Sequence, residues 1–223
     1  MNYKAKAKSS FKTKMNLFIY DLAIHNKKEF TLDDFNNFKI VADRVDEYST
    51  VFWQKETEYS ITEQKQIKHV YNDMIAIRKE MDPLIKECET YYVEKYFPTI
   101  FSEEDLKKFE LRDSCDYCGI TIKDIRTLRE YRGLRKKRER GWKLELDRLD
   151  SNFEYKPDNC VMCCYWCNNA KTDEFSSIEF KEIGKVISHI WQERKKIALD
   201  RRYEERFCDI IPFTRVVKRT DEK

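Results

Sequence analysis

Cys115-Asp116-Tyr117-Cys118-Gly119 and Cys164-Tyr165-Trp166-Cys167-Asn168 are the two stretches on which the fold of this chain turns. Each holds a C-x-x-C pair. The glycine after the first pair suits a tight knuckle turn, in which backbone amides point at thiolates. Four thiolates in tetrahedral geometry satisfy one structural zinc ion, so Cys115, Cys118, Cys164 and Cys167 are the expected ligands. Such a site contributes on the order of 10 kcal/mol to folding a small metal-dependent unit. Cys160 and Cys163 form a competing C-x-x-C. The pairing of Cys164 with Cys167 is preferred, because Asn168 then opens a helix directly after the knuckle. Cys88 and Cys208 have no partner at useful spacing and read as small buried hydrophobes.

The surrounding composition fits a folded, metal-using chain. Its 223 residues allow one large domain or two small ones. With 41% hydrophobic and 14% aromatic residues a core can form, and 38% charged residues require a well-solvated surface. Only four glycines and four prolines argue against a loop-rich all-β protein. No apolar run approaches the roughly 20 residues that span a bilayer, and the first residues lack the apolar stretch of a secretory signal. The chain therefore reads as intracellular and not membrane-bound. Thiols stay reduced there, so eight cysteines point to metal before disulfides.

Working outward, residues 1–14 are basic and polar and read as a frayed arm. The pattern is then helical to about residue 98. Thr31 with Asp34, Ser60 with Glu63, Ser102 with Asp105 and Ser176 with Glu179 all have capping-box spacing. Ile67, Val70, Tyr71, Met74, Ile75 and Met81 recur as one buried helix face, which Pro83 ends or kinks. A second stripe is Ile183, Val186, Ile187, Ile190 and Trp191. The expected class is α+β and mostly helical. A helical region spans 1–104, a zinc-stapled domain spans 105–200, and a charged tail covers 201–223.

The gap between the knuckles is too long for a compact zinc finger, so the zinc is expected to staple another structure. That gap contains Leu144-Glu145-Leu146-Asp147-Arg148-Leu149-Asp150 and Tyr155-Lys156-Pro157-Asp158-Asn159, and the second knuckle continues into Asn168-Asn169-Ala170-Lys171. With both knuckles, this ordered set resembles the HNH endonucleases over roughly residues 112–175. The resemblance implies two antiparallel strands and a helix wrapped around one catalytic divalent ion. It places Asp147 and Asn168 as ligands of that ion, and Asn159 as the residue that braces the loop and orients the site. A hard ion such as Mg²⁺ or Mn²⁺ prefers carboxylate and amide oxygens and keeps several waters, which agrees with these residue types.

One position departs from the family pattern. The residue after the metal-binding acid is usually a histidine acting as general base, and here it is Arg148. Arginine stays protonated. His25, His69 and His189 all lie outside the motif. Three readings stay open. Asp150 acts as base from the strand face that Arg148 shares. Or a water on the ion suffices, with Arg148 gripping the phosphate. Or the site only binds. A working but modified nuclease is favoured, because the proposed ligands, Asn159 and the cysteine set all remain.

A net charge of only +3 does not announce a nucleic-acid protein, but its distribution matters more. Between residues 126 and 143 stand Arg126, Arg129, Arg132, Arg135, Lys136, Lys137, Arg138, Arg140 and Lys143, with only Glu130 and Glu139 opposing. Beside a phosphodiesterase site such a run gains affinity by releasing condensed counterions. Tyr131 and Trp142 are candidates for stacking, and Lys171 for a backbone contact. The expected partner is nucleic acid, taken to be double-stranded DNA, with the N-terminal helices available to a protein partner or a dimer. The expected function is a divalent-metal-dependent endonuclease. The alternative is a zinc-stapled binding module that does not cleave.

Overall fold

The computed structural model describes residues 2–53, 59–131, 134 and 141–207, with side chains for all but 50–53 and 201–207. Among these, the first helix corrects the expectation for the N-terminus. Residues 3–14 are not a frayed arm but the start of α1 (Tyr3–Ile24), capped by Asn2, whose side chain accepts from Ala5 N at 3.0 Å. Ala7, Ser10, Phe11, Lys14, Met15 and Phe18 recur at three- and four-residue intervals and are all buried. Lys4, Lys8 and Lys12 stay exposed between them and give the stretch its polar texture. Lys14 itself is buried. Its ammonium lies over the Phe35 ring at 4.9 Å and the Tyr96 ring at 4.5 Å, and desolvation lowers its pKa.

Capping boxes start α2 (Leu32–Asn37) at Thr31 and α4 (Ile61–Glu80) at Ser60, with α3 (Ala42–Trp53) between them. The buried face of α4 packs on α1 through Met74 and Ile77, while Ile75, expected in that face, is 52% exposed. A 3.6-residue repeat from Ile67 through Val70 and Met74 reaches Ile77, not Ile75. Pro83 stands in the first turn of α5 (Asp82–Tyr91), where its missing N–H costs nothing. A π turn (Tyr92–Tyr96) leads into α6 (Phe97–Ile100), which has Pro98 in its first turn. Tyr92, Phe97 and Phe101 are fully buried. Burial of each such ring stabilises the fold by about 1.5–3 kcal/mol.

Ser102 caps α7 (Glu103–Glu110). The first knuckle follows, closed by a bridge between Ser114 and Thr121. Thr121 and Asp124 form a further capping box and start α8 (Ile122–Glu130). Strands β1 (Glu145–Arg148) and β2 (Cys160–Cys163) then pair antiparallel, with Glu145 opposite Cys163, Leu146 opposite Met162, Asp147 opposite Val161 and Arg148 opposite Cys160. The chain continues into α9 (Tyr165–Lys171), so the order is two strands and a helix. Last comes α10 (Ser177–Phe207). Its buried stripe also differs from the expected one: Val186 and Ile190 are 63% and 44% exposed, and Phe180, Gly184 and Trp191 face inward.

The fold is thus mostly helical with a small two-stranded sheet, and one buried cluster runs through it from α1 to the knuckles. Helix α1 touches the strand pair directly. The Lys6 ammonium donates to Leu146 O at 2.7 Å, and Tyr155 N donates to Ser10 Oγ at 2.7 Å. Among the described residues no helix is long and apolar enough to cross a membrane.

Candidate metal centre and the face beside it

Gly119 has φ +70°, and its amide donates to Cys115 O at 2.8 Å, while Cys115 N donates to Ile120 O at 3.0 Å. A side chain at Gly119 would strain this turn, so the glycine is what lets the knuckle close. Asp116 fixes the knuckle to β2. Its amide donates to Met162 O at 2.8 Å, and its carboxylate accepts from Met162 N at 2.7 Å and from Arg112 at 3.0 Å. The second knuckle is the start of α9: Cys164 is the N-cap, and its sulfur accepts from Cys167 N at 3.4 Å.

The two knuckles meet. The sulfurs of Cys115, Cys118, Cys164 and Cys167 all lie within 4.8 Å of one another, all buried, and those of Cys118 and Cys164 are 3.7 Å apart. A tetrahedral zinc with bonds of about 2.3 Å has sulfur–sulfur edges of about 3.8 Å. The Cys115 thiol is held far below its ordinary range because it accepts from the other three, first from Cys118. The thiols of Cys164 and Cys167 are pushed up, foremost by Cys115. Four sulfurs this close cannot all ionise alone, and a bound cation removes that conflict. This buried cluster is suited to a structural metal. Cys160 and Cys163 take no part in it. Burial pushes the Cys160 thiol up to about 12 and raises that of Cys163, whose sulfur instead faces Glu145 O at 3.5 Å.

Alternation along β1 sends Glu145 and Asp147 to one side and Leu146 and Arg148 to the other. Helix α9 covers the first side. Asn168 Nδ2 donates to a Glu145 oxygen at 2.6 Å. Three residues on, the Lys171 ammonium lies 3.6 Å from Asp147 Oδ2 and donates to Arg148 O at 3.0 Å. The same Oδ2 accepts from the Tyr117 hydroxyl at 2.9 Å. Burial, and then the Asp147 charge, raise the Tyr117 pKa, so this hydroxyl stays protonated and donates. Among the described residues no hydrogen bond reaches Asp147 Oδ1 or Asn168 Oδ1. The two residues sit diagonally across the β1–α9 contact, each with one polar group pinned and one oxygen open.

Arg148 points the other way. It donates to Thr13 Oγ1 and to Phe153 O, both at 2.9 Å, and its guanidinium lies 4.9 Å from the centre of the Tyr155 ring. Asp150 stands in the loop after β1, where its carboxylate accepts from Asn152 N at 2.9 Å. Asn159 spans that loop: its oxygen accepts from Asp150 N at 3.0 Å and its amide donates to Asp150 O and Glu154 O. Lys171 is 1% exposed, so its ammonium sits between helix and strand, away from the surface.

The sequence reading did not place Glu145 or Tyr117 at this face. Glu145 carried a usable signal, since residues two apart on a strand share a side. Tyr117 carried none, because its partner lies 30 positions away.

On the opposite side of the hairpin, Arg112, Arg126, Arg129 and Lys143 rim a cleft of about 530 Å³ floored by Leu144 and Met162. The Arg129 guanidinium lies 4.6 Å from the Trp142 ring centre. Arg132, Arg135, Lys136, Lys137, Arg138 and Arg140 lie outside the described residues.

No family model matches the chain, and neither does any curated protein. Among solved structures it is similar to the rare-cutting HNH restriction endonuclease PacI, at 32% identity over 39% of this chain and 58% of that one, with a TM-score of 0.32. The likeness thus spans less than two thirds of the restriction enzyme.

Proposed function

We propose that this chain is a divalent-metal-dependent endonuclease of the HNH type, acting on double-stranded DNA, with Cys115, Cys118, Cys164 and Cys167 holding a structural zinc ion. The observation that carries this reading is the pair of open oxygens on Asp147 and Asn168, held on adjoining elements beside the cysteine cluster. One carboxylate and one amide oxygen suit Mg²⁺ or Mn²⁺, hard ions that take oxygen ligands and keep several waters. Asp147 and Asn168 would hold that ion; when bound, it polarises the scissile phosphoryl group and offsets charge on the departing 3′-oxygen.

The other side chains position these two. Glu145 takes the amide nitrogen of Asn168, and the carbonyl oxygen is left without a hydrogen bond among the described residues. Lys171 and Tyr117 take Oδ2 of Asp147 and leave Oδ1. Asn159 locks the loop behind β1, and Arg148 ties the strand end to α1. The cleft cations and the basic run that follows α8 bind the DNA backbone without reading sequence. Hydrolysis leaves 3′-hydroxyl and 5′-phosphate ends.

Nicking of supercoiled plasmid in Mg²⁺ or Mn²⁺ tests this. The zinc-loaded wild type converts plasmid to the open circle; Asp147→Ala and Asn168→Ala lose at least about a hundredfold in rate. Equal rates for wild type and Asp147→Ala end the proposal. A second reading, a binding module that does not cleave, has one observation in its favour. The residue at the usual histidine position is Arg148, which cannot act as a base and whose Nη1 donates to Thr13 Oγ1 and Phe153 O. Wild-type protein that shifts duplex DNA in a gel yet never nicks it selects that reading.

A further inference from the structure

We infer that Tyr117 is a positioning residue that couples the cysteine centre to the reactive face, holding one oxygen of Asp147 so that the other is offered to the divalent ion. The inference rests on the endonuclease reading above. Tyr117 is an interior residue of the first knuckle, flanked by Asp116 and by Cys118, with Cys115 two positions before it. It is 7% exposed, and its hydroxyl crosses to Asp147 Oδ2 at 2.9 Å.

Three separate contacts fix where that hydroxyl sits. The flanking cysteines set the backbone from the metal side. The Phe180 ring meets the Tyr117 ring edge-on, at 5.1 Å between centres and 82° between planes. Gly184 brings α10 against the peptide of Tyr117 so closely that a Cβ there would lie 2.5 Å from Tyr117 O. A ring held from the metal side, from its edge and from its backbone behaves as a rigid strut.

At the far end of the strut is a carboxylate whose other partner among the described residues is Lys171. The Lys171 ammonium is 3.6 Å away and competes with any divalent ion for Asp147. With Tyr117 in place, the contacts to tyrosine and lysine converge on Oδ2, and Oδ1 stays clear among the described residues. Without the hydroxyl the carboxylate is free to rotate about its Cβ–Cγ bond toward the ammonium. The zinc staple thus does more than join the two knuckles; through Tyr117 it orients the acid.

The test compares Tyr117→Phe with wild type and Asp147→Ala, all full length and zinc-loaded. Zinc content, thermal midpoint, Mn²⁺ affinity by calorimetry without DNA, and kcat and KM on a duplex are measured. Phe keeps the ring, so zinc content and KM for DNA stay near wild type. Mn²⁺ binding weakens about tenfold, the effect of one lost hydrogen bond to a charged group, and kcat falls at limiting Mn²⁺ and recovers at high Mn²⁺. Unchanged Mn²⁺ affinity and kcat, or a rise in KM for DNA alone, overturns the inference. If Tyr117→Phe loses zinc, Phe180→Leu replaces it, loosening the ring with the hydroxyl present. Weaker Mn²⁺ binding with zinc retained supports the strut, and unchanged binding rejects it. A fully active Asp147→Ala instead removes the endonuclease reading, whereas an inactive Asp147→Ala beside an unaltered Tyr117→Phe removes the strut alone.

Discussion

The Asp116 carboxylate makes two bonds: it accepts from Met162 N on β2 and from Arg112 before the knuckle. Its replacement by Ala leaves the Met162 amide without its acceptor, and the expected cost is about 1–3 kcal/mol. Urea unfolding of the zinc-loaded protein measures it, and a midpoint equal to wild type would contradict the geometry. The remaining cysteines make a second residue-scale case. Burial raises the Cys88 thiol to about 11 and the Cys160 thiol to about 12, so both stay neutral at pH 8. Mass spectrometry after brief iodoacetamide treatment of the native protein at that pH should find both unmodified, and rapid labelling of Cys160 would place it wrongly. At this scale the four clustered cysteines were legible, because two C-x-x-C pairs carry their own spacing. The choice between Cys163 and Cys164 was less so, since adjacent residues differ only in the side of the chain they face. Tyr117 was not legible at all: a tyrosine between two cysteines looks the same whether or not it reaches an acid 30 positions on.

Helix starts were the most readable elements. Asp34, Glu63, Asp105 and Glu179 all close capping boxes, and hydrogen bonds hold their pKa values down, from Lys27 and then Thr31 for Asp34 and from the capping serines Ser60, Ser102 and Ser176 for the others. For a carboxylate lowered in the folded state, the stabilisation is present above the unfolded pKa and is lost as pH falls through the folded one. For Asp34 that window runs from 3.8 down to about 2. Helical circular dichroism at a fixed moderate urea concentration should therefore hold steady near neutrality and fall below about pH 4. A flat signal to pH 2.5 would deny the boxes any role. The first half of helix α1, residues 3–14, was missed for the opposite reason. Exposed lysines interrupt its buried face, and one buried position is Lys14, which is accommodated over two aromatic rings. Helix α8 was missed although Thr121 and Asp124 announce it, because the arginines that follow dominate the texture. Gly184 supplies an element-scale prediction. Ala at this position forces α10 away from Tyr117 O, lowers stability by about 1–3 kcal/mol and slows nicking with it. A thermal midpoint unchanged from wild type would show that the contact is slack.

Across the whole molecule, the two-strand-and-helix unit does not stand apart from the helices before it. Lys6, Ser10 and Thr13 of α1 each bond to the β1–β2 hairpin or its loop. The Tyr92 hydroxyl bonds to the buried Glu154 at the base of the same loop. A chain lacking residues 1–24 therefore loses partners for Arg148, Leu146 O and Tyr155 N together. Such a truncation should bind zinc but show poorly dispersed NMR spectra, and a well-dispersed, cooperatively melting fragment would contradict this dependence. The sequence located the knuckles and the strands between them, but could not foretell that α1 is the floor beneath them, since contacts some 140 positions apart leave no local pattern. The most direct measurement of the central claim is anomalous diffraction from a crystal grown with zinc and soaked in Mn²⁺. The expected map has a zinc peak amid the sulfurs of Cys115, Cys118, Cys164 and Cys167, and a manganese peak bridging Asp147 Oδ1 and Asn168 Oδ1. A zinc peak elsewhere, or manganese bound without either of those oxygens, would contradict it.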